Sequence, residues 1–259
     1  MNCLKINLLI VFLFSAVSLH AEIYAVIVGV SKYKDPSDNL IFAASDAKRF
    51  HSLLTNNKQN PNIMLLVDEQ ATRSNILNVM NNIFKKANVA DCIIFFFSGH
   101  GGDGYFCQYD TGDTYDSLLK HEDIQNAFKQ SDAGVKLCIG DACFAGSIRN
   151  EPPSTTKSRV DFFKSRLNKS VAKKNNIIVF MSSRGDQYSK ENIFLKQSVF
   201  AYYLIESFLG KADVNHDKKV TAKEMYTYVR KNVAEKTNNK QIPVMFGRFS
   251  ENTVIASYK

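Results

Sequence analysis

The stretch IIFFFSGHGG, residues 93–102, joins five consecutive apolar side chains to a histidine boxed between glycines. A short apolar run bounded by glycine reads as a strand covered on both faces, and many such strands end in glycine-rich turns that carry a histidine for no chemical reason. What gives His100 a sharper meaning lies elsewhere in the chain.

On either side of this run, apolar segments recur with helical patterns between them. Residues 23–30 (IYAVIVGV), 62–67, 91–98, 135–140 and 176–182 read as strands. Residues 40–54 place Leu40, Ala43, Ala44, Ala47, Phe50 and Leu54 on one helical face, and further helices are expected over 73–87, capped by Thr72 or Ser74, near 121–130 and over 198–209. Strand and helix alternate throughout, which predicts a mostly parallel sheet covered by helices on both faces: an α/β sandwich of three layers. In such sheets ligands and catalytic groups gather at the carboxyl ends of the strands. His100 follows one strand and Cys143 another, in VKLCIGDACFAGS, residues 135–147.

The chain has 259 residues, enough for one large domain, and 45% of them are hydrophobic. The opening MNCLKINLLIVFLFSAVSLHA has one charge at Lys5, an apolar run over 8–17 and then small residues, the pattern of a secretory signal cleaved after Ala21 or Ser18. A transmembrane anchor is the competing reading, but the run falls short of the roughly 20 residues a bilayer requires. The expected layout is a signal peptide over 1–21 and a single domain over 22–259, exported to a periplasm or secreted, with no stable membrane anchor. Four cysteines remain after cleavage: Cys92, Cys107, Cys138 and Cys143. Disulfides are permitted in such a compartment, and Cys92 and Cys138, set in apolar runs, read as buried packing. The net charge of +8 is concentrated in residues 149–174, where Arg149, Lys157, Arg159, Lys164, Arg166, Lys169, Lys173 and Lys174 face only Glu151 and Asp161. A face made for a polyanion would interleave aromatics and polar groups over a folded surface, whereas this excess follows a Pro-Pro pair in a loop-like stretch, so nucleic acid is not the expected partner.

His100 and Cys143 together define a chemistry. A thiol attacks a carbonyl usefully as thiolate, which a nearby imidazole favours, and the same imidazole can hand the proton to the departing amine. The flanking glycines let a substrate approach the backbone, and the N–H groups of Gly101 and Cys143 are candidates for an oxyanion hole. No cofactor is required for such a reaction.

SGHGG and DACFAGS, each ending a hydrophobic strand, resemble the catalytic blocks of the caspase-like cysteine peptidases, most closely the metacaspase and bacterial branch. AVIVGVSKY, AASDA, MSSRGDQYS and QIPVMFG extend the resemblance over nearly all of the mature chain. It implies a caspase-like fold, protein or peptide substrates, and a catalytic dyad of His100 and Cys143. Their separation of 43 residues is comparable with the roughly 50 of caspases. Caspases place glutamine two residues before the cysteine and favour aspartate in the substrate; this chain has Asp141 there. In metacaspases that aspartate, and one that corresponds to Asp46, line the primary pocket and select arginine or lysine, as two carboxylates in a partly desolvated pocket should. Asp141 as a mere loop anchor and Asp46 as a solvated helix residue are the plain alternatives. Arg184 would support an aspartate preference, and Asp186 beside it opposes one. Phe144 stands where metacaspases carry histidine. The basic segment 149–174 falls where related peptidases carry a cleavable loop, which makes self-processing there the expectation. A catalytically silent binding or signalling module of the same fold, and a phosphate-binding domain using the GHGGDG turn, are the alternatives from other classes. The oligomeric state is left open.

One further segment, DVNHDKKVTAKE over 213–224, has EF-hand spacing, with Asp213, Asn215 and Asp217 at positions one, three and five, the Lys219 carbonyl at seven, Thr221 at nine and Glu224 at twelve. Lys218 stands at position six, where glycine makes the sharp turn. Calcium is therefore a candidate ion beside a plain helix-capping turn, and Asp110, Asp113 and Asp116 form a second candidate set, since calcium dependence is known among metacaspases through acidic loop residues.

Overall fold

The computed structural model describes residues 21–56, 58–102, 104–112, 114–143, 176–183 and 189–258, with the main chain alone at Cys143. Residues 1–20 of the expected signal segment, the basic segment 149–174, Asp113, Phe144, Arg184 and Asp186 lie outside them. In chain order the strands are β1 (Ile23–Gly29), β2 (Ile63–Val67), β3 (Cys92–Gly102), β4 (Tyr105–Phe106), β5 (Leu119–Lys120), β6 (Val135–Cys143), β7 (Asn176–Met181), β8 (Glu191–Asn192), β9 (Gln197–Ser198), β10 (Lys219–Thr221), β11 (Val244–Arg248) and β12 (Val254–Ser257). The main sheet has the order β11–β7–β6–β3–β1–β2, with β4 and β5 attached beside β3. Along that order the pairs are parallel except at the edge, where β11 runs antiparallel to β7; the attached β3–β4 and β4–β5 pairs are antiparallel.

The helices α1 (Ala43–Thr55), α2 (Arg73–Phe84), α3 (His121–Lys129), α4 (Val199–Glu206) and α5 (Ala222–Lys236) cover both faces. Alternation along the strands sorts the core into two halves. Val26, Val28, Phe95, Phe97, Cys138 and Val179 pack with Ile76, Met80 and Phe84 of α2 and Ile124 and Phe128 of α3. Ala25, Ile27, Ile94, Phe96, Ile139 and Phe180 pack on the other face with Phe50 of α1, Val199, Phe200 and Leu204 of α4, and Met225 and Val229 of α5. The expected three-layer sandwich is present, and its apolar strand runs are explained by burial on both sides. Thr72 caps α2 by accepting from the Asn75 N–H, and Ser198 caps α4 by accepting from the Ala201 N–H.

Lys136 interrupts the apolar pattern of β6 yet is buried. Its ammonium donates to the carbonyls of Phe128 and Ser131 at 2.6 Å each, closing the end of α3, and burial lowers its pKa. Two strand ends differ from the sequence reading. β3 continues through Gly102 and β6 through Cys143, so His100 and Cys143 belong to the sheet itself rather than to turns beyond it. The closing QIPVMFG supplies the antiparallel edge strand β11, which the sequence pattern does not distinguish from a tail.

β1 and α1 approach closely at Gly29, where a Cβ would stand 2.5 Å from the Ala47 Cβ and 2.6 Å from the Ala43 carbonyl oxygen. Gly29→Ala should therefore push α1 off the sheet and lower unfolding free energy by about 1–3 kcal/mol in a denaturant titration.

Candidate active site

β3 and β6 pair in parallel over a continuous register that ends with His100 opposite Cys143. Neighbouring strands lie about 4.8 Å apart, so the two positions sit side by side at the carboxyl edge. The His100 ring is fixed from the η-turn that precedes α1: its Nε2 lies 2.8 Å from the carbonyl oxygen of Asp38. A carbonyl only accepts, so Nε2 carries the hydrogen and Nδ1 is the nitrogen left to take a proton.

Tyr33 holds the main chain beneath this ring. Its hydroxyl accepts from the His100 N–H at 2.7 Å and donates to the Cys107 carbonyl at 3.2 Å. The Cys107 N–H in turn donates to the His100 carbonyl at 2.9 Å. The hydroxyl thus bridges one rung of the ladder where β3 meets the chain leaving β4. A Cβ at position 99 would stand 2.7 Å from that hydroxyl, which accounts for the first glycine of the SGHGG block. The Tyr33 ring lies 5.1 Å from the His100 ring, centroid to centroid, and burial holds its phenol well above the ordinary range. Gly101 lies opposite Phe106 in the β3–β4 pair.

Two carboxylates are buried beside this edge. Asp141, two residues before Cys143, is 3% exposed and accepts from the hydroxyls of Ser189 and Ser198. Asp46 on α1 is 0% exposed, and its Oδ2 accepts from the Ser198 N–H at 3.0 Å. Its Oδ1 is buried with no hydrogen-bond partner among the described residues. Burial first, then the nearby Asp141, pushes the Asp46 carboxyl up to about 8, and burial also raises Asp141. Asp46 is buried rather than solvated, and Asp141 bonds Ser189 of the segment before β8 as well as Ser198. Ser198 binds both, and Gln241 steadies the arrangement from behind, with its amide donating to the Ser182 carbonyl and the Ser189 hydroxyl at 3.0 and 3.2 Å. Glu191 of β8 adds a third carboxylate and accepts from the N–H groups of Ile41 and Phe42 at the start of α1. Tyr33, Ser189 and Gln241 lie within the blocks AVIVGVSKY, MSSRGDQYS and QIPVMFG, yet neither they nor the Asp38 carbonyl, Ser198 and Glu191 are singled out by the sequence as site residues.

The remaining candidates are placed differently. Glu224 closes a capping box on Thr221, Asp213 accepts from the Lys218 N–H and the Tyr258 hydroxyl at 2.9 and 2.6 Å, and Asp217 accepts from the Lys219 N–H. Asn215 accepts from the Asp217 N–H. Lys218 takes the left-handed backbone, φ 64°, that position six of an EF-hand needs. Among the described residues no three acidic, histidine or cysteine side chains converge as a metal site, so the loop has EF-hand spacing without a gathered ligand set. In the second set Asp110 accepts from the Arg73 N–H and Asp116 pairs with Lys120. Cys92 and Cys138 form no disulfide, and burial pushes both thiols up to about 12, which leaves them unreactive. Among the described residues no helix is long and apolar enough to cross a membrane.

A parallel α/β sandwich with histidine and cysteine in register at one strand edge defines the class of caspase-fold cysteine peptidases. The chain belongs to the caspase domain family, whose profile matches residues 23–253. It is 31% identical over 136 residues to a metacaspase-1 of Coccidioides immitis, an alignment covering 48% of this chain and 28% of that one. It is 30% identical over 155 residues to a metacaspase-2 of Arabidopsis thaliana, covering 52% and 37%. The chain thus aligns with about a third of the length of these relatives. A crystal structure of a Geobacter sulfurreducens protein shares the fold, with a TM-score of 0.60 at 17% identity over 88% of this chain and 94% of that one.

Tyr33→Phe removes the bridging hydroxyl, and with it the acceptor of the His100 N–H and a donor to the Cys107 carbonyl. Thermal or denaturant unfolding should register a loss of about 1–3 kcal/mol.

Proposed function

We propose that the protein is a cysteine endopeptidase that cleaves after arginine or lysine and processes itself within residues 149–174. The observation that supports the specificity is the buried pair Asp46 and Asp141, with Asp46 Oδ1 unpartnered among the described residues. Two carboxylates packed against one serine at the strand edge form a site short of positive charge. A guanidinium or ammonium entering it supplies the missing donors, whereas an acidic side chain adds repulsion to desolvation.

In this reading His100 Nδ1 takes the proton of the Cys143 thiol, and the thiolate adds to the carbonyl carbon of the scissile bond. The N–H groups of Gly101 and Cys143 receive the resulting oxyanion. As the C–N bond breaks, His100 returns its proton to the departing amine, leaving a thioester. Water, deprotonated by His100, then releases the carboxylic acid and restores the thiol. The Asp38 carbonyl keeps the imidazole in one tautomer throughout, since it accepts only from a protonated Nε2. The reaction consumes one water and no cofactor.

The test compares peptides that differ only in arginine, lysine or aspartate before the scissile bond, with the wild type and Cys143→Ala. Arginine and lysine peptides should exceed the aspartate peptide in kcat/KM by roughly 100-fold or more, and Cys143→Ala should abolish all hydrolysis. Cleavage confined to the aspartate peptide would overturn the pocket assignment. Asp46, at about 8, holds a proton in the empty site at neutral pH, and a bound cation requires the carboxylate. KM for the arginine peptide should therefore fall as pH rises towards about 8, and Asp46→Asn should flatten that dependence.

A further inference from the structure

Beside the buried carboxylates the structure presents an apolar surface that the chemistry does not use. The β8–β9 hairpin pairs Glu191 with Ser198 at its base, and Ser198 is the residue that binds both Asp46 and Asp141. Two and three residues beyond Glu191, at the tip, Ile193 and Phe194 are 73% and 97% exposed. Ile41, whose N–H donates to Glu191, is 65% exposed. Three exposed apolar residues are therefore tied to Glu191, two by the hairpin and one through its main-chain N–H. At about 3.3 Å per residue the tip lies within about 10 Å of Ser198 along the strand. That is the distance from a side chain held by Asp46 and Asp141 to the two residues before it in an extended peptide.

The chain itself contains a segment with the matching chemistry. β6 ends at Cys143 beside His100, while β7 begins with Asn176 opposite Val135, at the other end of β6. Residues 144–175, which hold the basic excess, therefore connect Cys143 at the catalytic edge to Asn176 at the opposite end of β6. Among the eight lysines and arginines between 149 and 174, Lys164 alone follows two aromatic residues, Phe162 and Phe163. Serine, threonine, asparagine, alanine or lysine directly precedes six of the others, and Ile148 with Ser147 precedes Arg149.

We propose that the hairpin tip, with Ile41, docks Phe162 and Phe163 of this chain, places Lys164 between Asp46 and Asp141, and directs self-cleavage to the Lys164–Ser165 bond. The inference rests on the basic preference proposed above. In the step itself the Lys164 carbonyl carbon is acylated onto the Cys143 sulfur, the Ser165 amine leaves with the proton from His100, and water hydrolyses the thioester to a new carboxylate at Lys164.

The experiment has two parts. The full chain is incubated and its new termini are read by mass spectrometry, with Cys143→Ala alongside. Peptides Phe-Phe-Lys and Ser-Ser-Lys before a common leaving group are then compared in kcat/KM, for the wild type and for Phe194→Ser and Ile193→Ser. A new amino terminus at Ser165, absent from Cys143→Ala, is expected, with a preference for Phe-Phe-Lys of at least about tenfold that shrinks towards one in the hairpin variants. Processing at another basic residue with Lys164–Ser165 intact overturns the proposal. So does a peptide ratio near one in the wild type, or a ratio the variants leave unchanged. A dimer in sedimentation that Phe194→Ser dissolves, with the peptide ratio unmoved, would assign the patch to a second copy and overturn it likewise. Loss of hydrolysis for both lysine peptides in active, aspartate-cleaving enzyme would instead sink the basic preference on which it rests.

Discussion

The parallel pairing of β3 with β6 is the constraint on which the rest of the molecule depends. Nine consecutive register pairs run from Cys92–Val135 to His100–Cys143, and the apolar residues of both strands divide between two separate cores. A slip of one residue would exchange those cores, sending Phe95 and Phe97 to the face of Phe96, so the packing of a dozen large side chains enforces the meeting of one histidine with one cysteine. Site geometry at this edge is thus set by hydrophobic burial well below it, with His100 further held by the Tyr33 hydroxyl and the Asp38 carbonyl.

The carboxylates beside that edge obey a different logic. Burying Asp46 and Asp141 near each other is unfavourable, and the fold offsets this with the Ser189 and Ser198 hydroxyls, the Ser198 N–H and a proton retained on Asp46. Each of these donors sits on a segment that other contacts hold in place: Ser198 caps α4, and Ser189 is bonded by the buried Gln241. Polar groups that would otherwise destabilise the domain are thereby assembled at one place.

The layered architecture was legible because burial on both faces leaves continuous apolar runs, as in residues 93–97, separated by helical periods. His100 and Cys143 were legible because glycine-flanked reactive residues at strand ends are few. Their inclusion within the strands was not, since glycine reads as a turn and only the neighbouring strand reveals that pairing continues. The Asp38 carbonyl and the Tyr33 hydroxyl were invisible for a related reason. One is main chain, which carries no residue signature, and the other reaches His100 across 67 positions of sequence. In 213–224 a spacing rule records order along the chain and does not reveal the capping box that joins Glu224 to Thr221.

Ser198 has a consequence for how this domain can change over generations. Its hydroxyl accepts from the Ala201 N–H to start α4 and donates to Asp141, while its own N–H reaches Asp46. A helix start and two carboxylates thus share three atoms of one residue. Any mutation at position 141 towards a neutral or cationic pocket also alters the first turn of a buried helix, and any change of Ser198 disturbs both acids together. Drift in selectivity at this site is therefore confined to paths in which several positions alter in concert, a ruggedness that a pocket lined by independent surface side chains would not have.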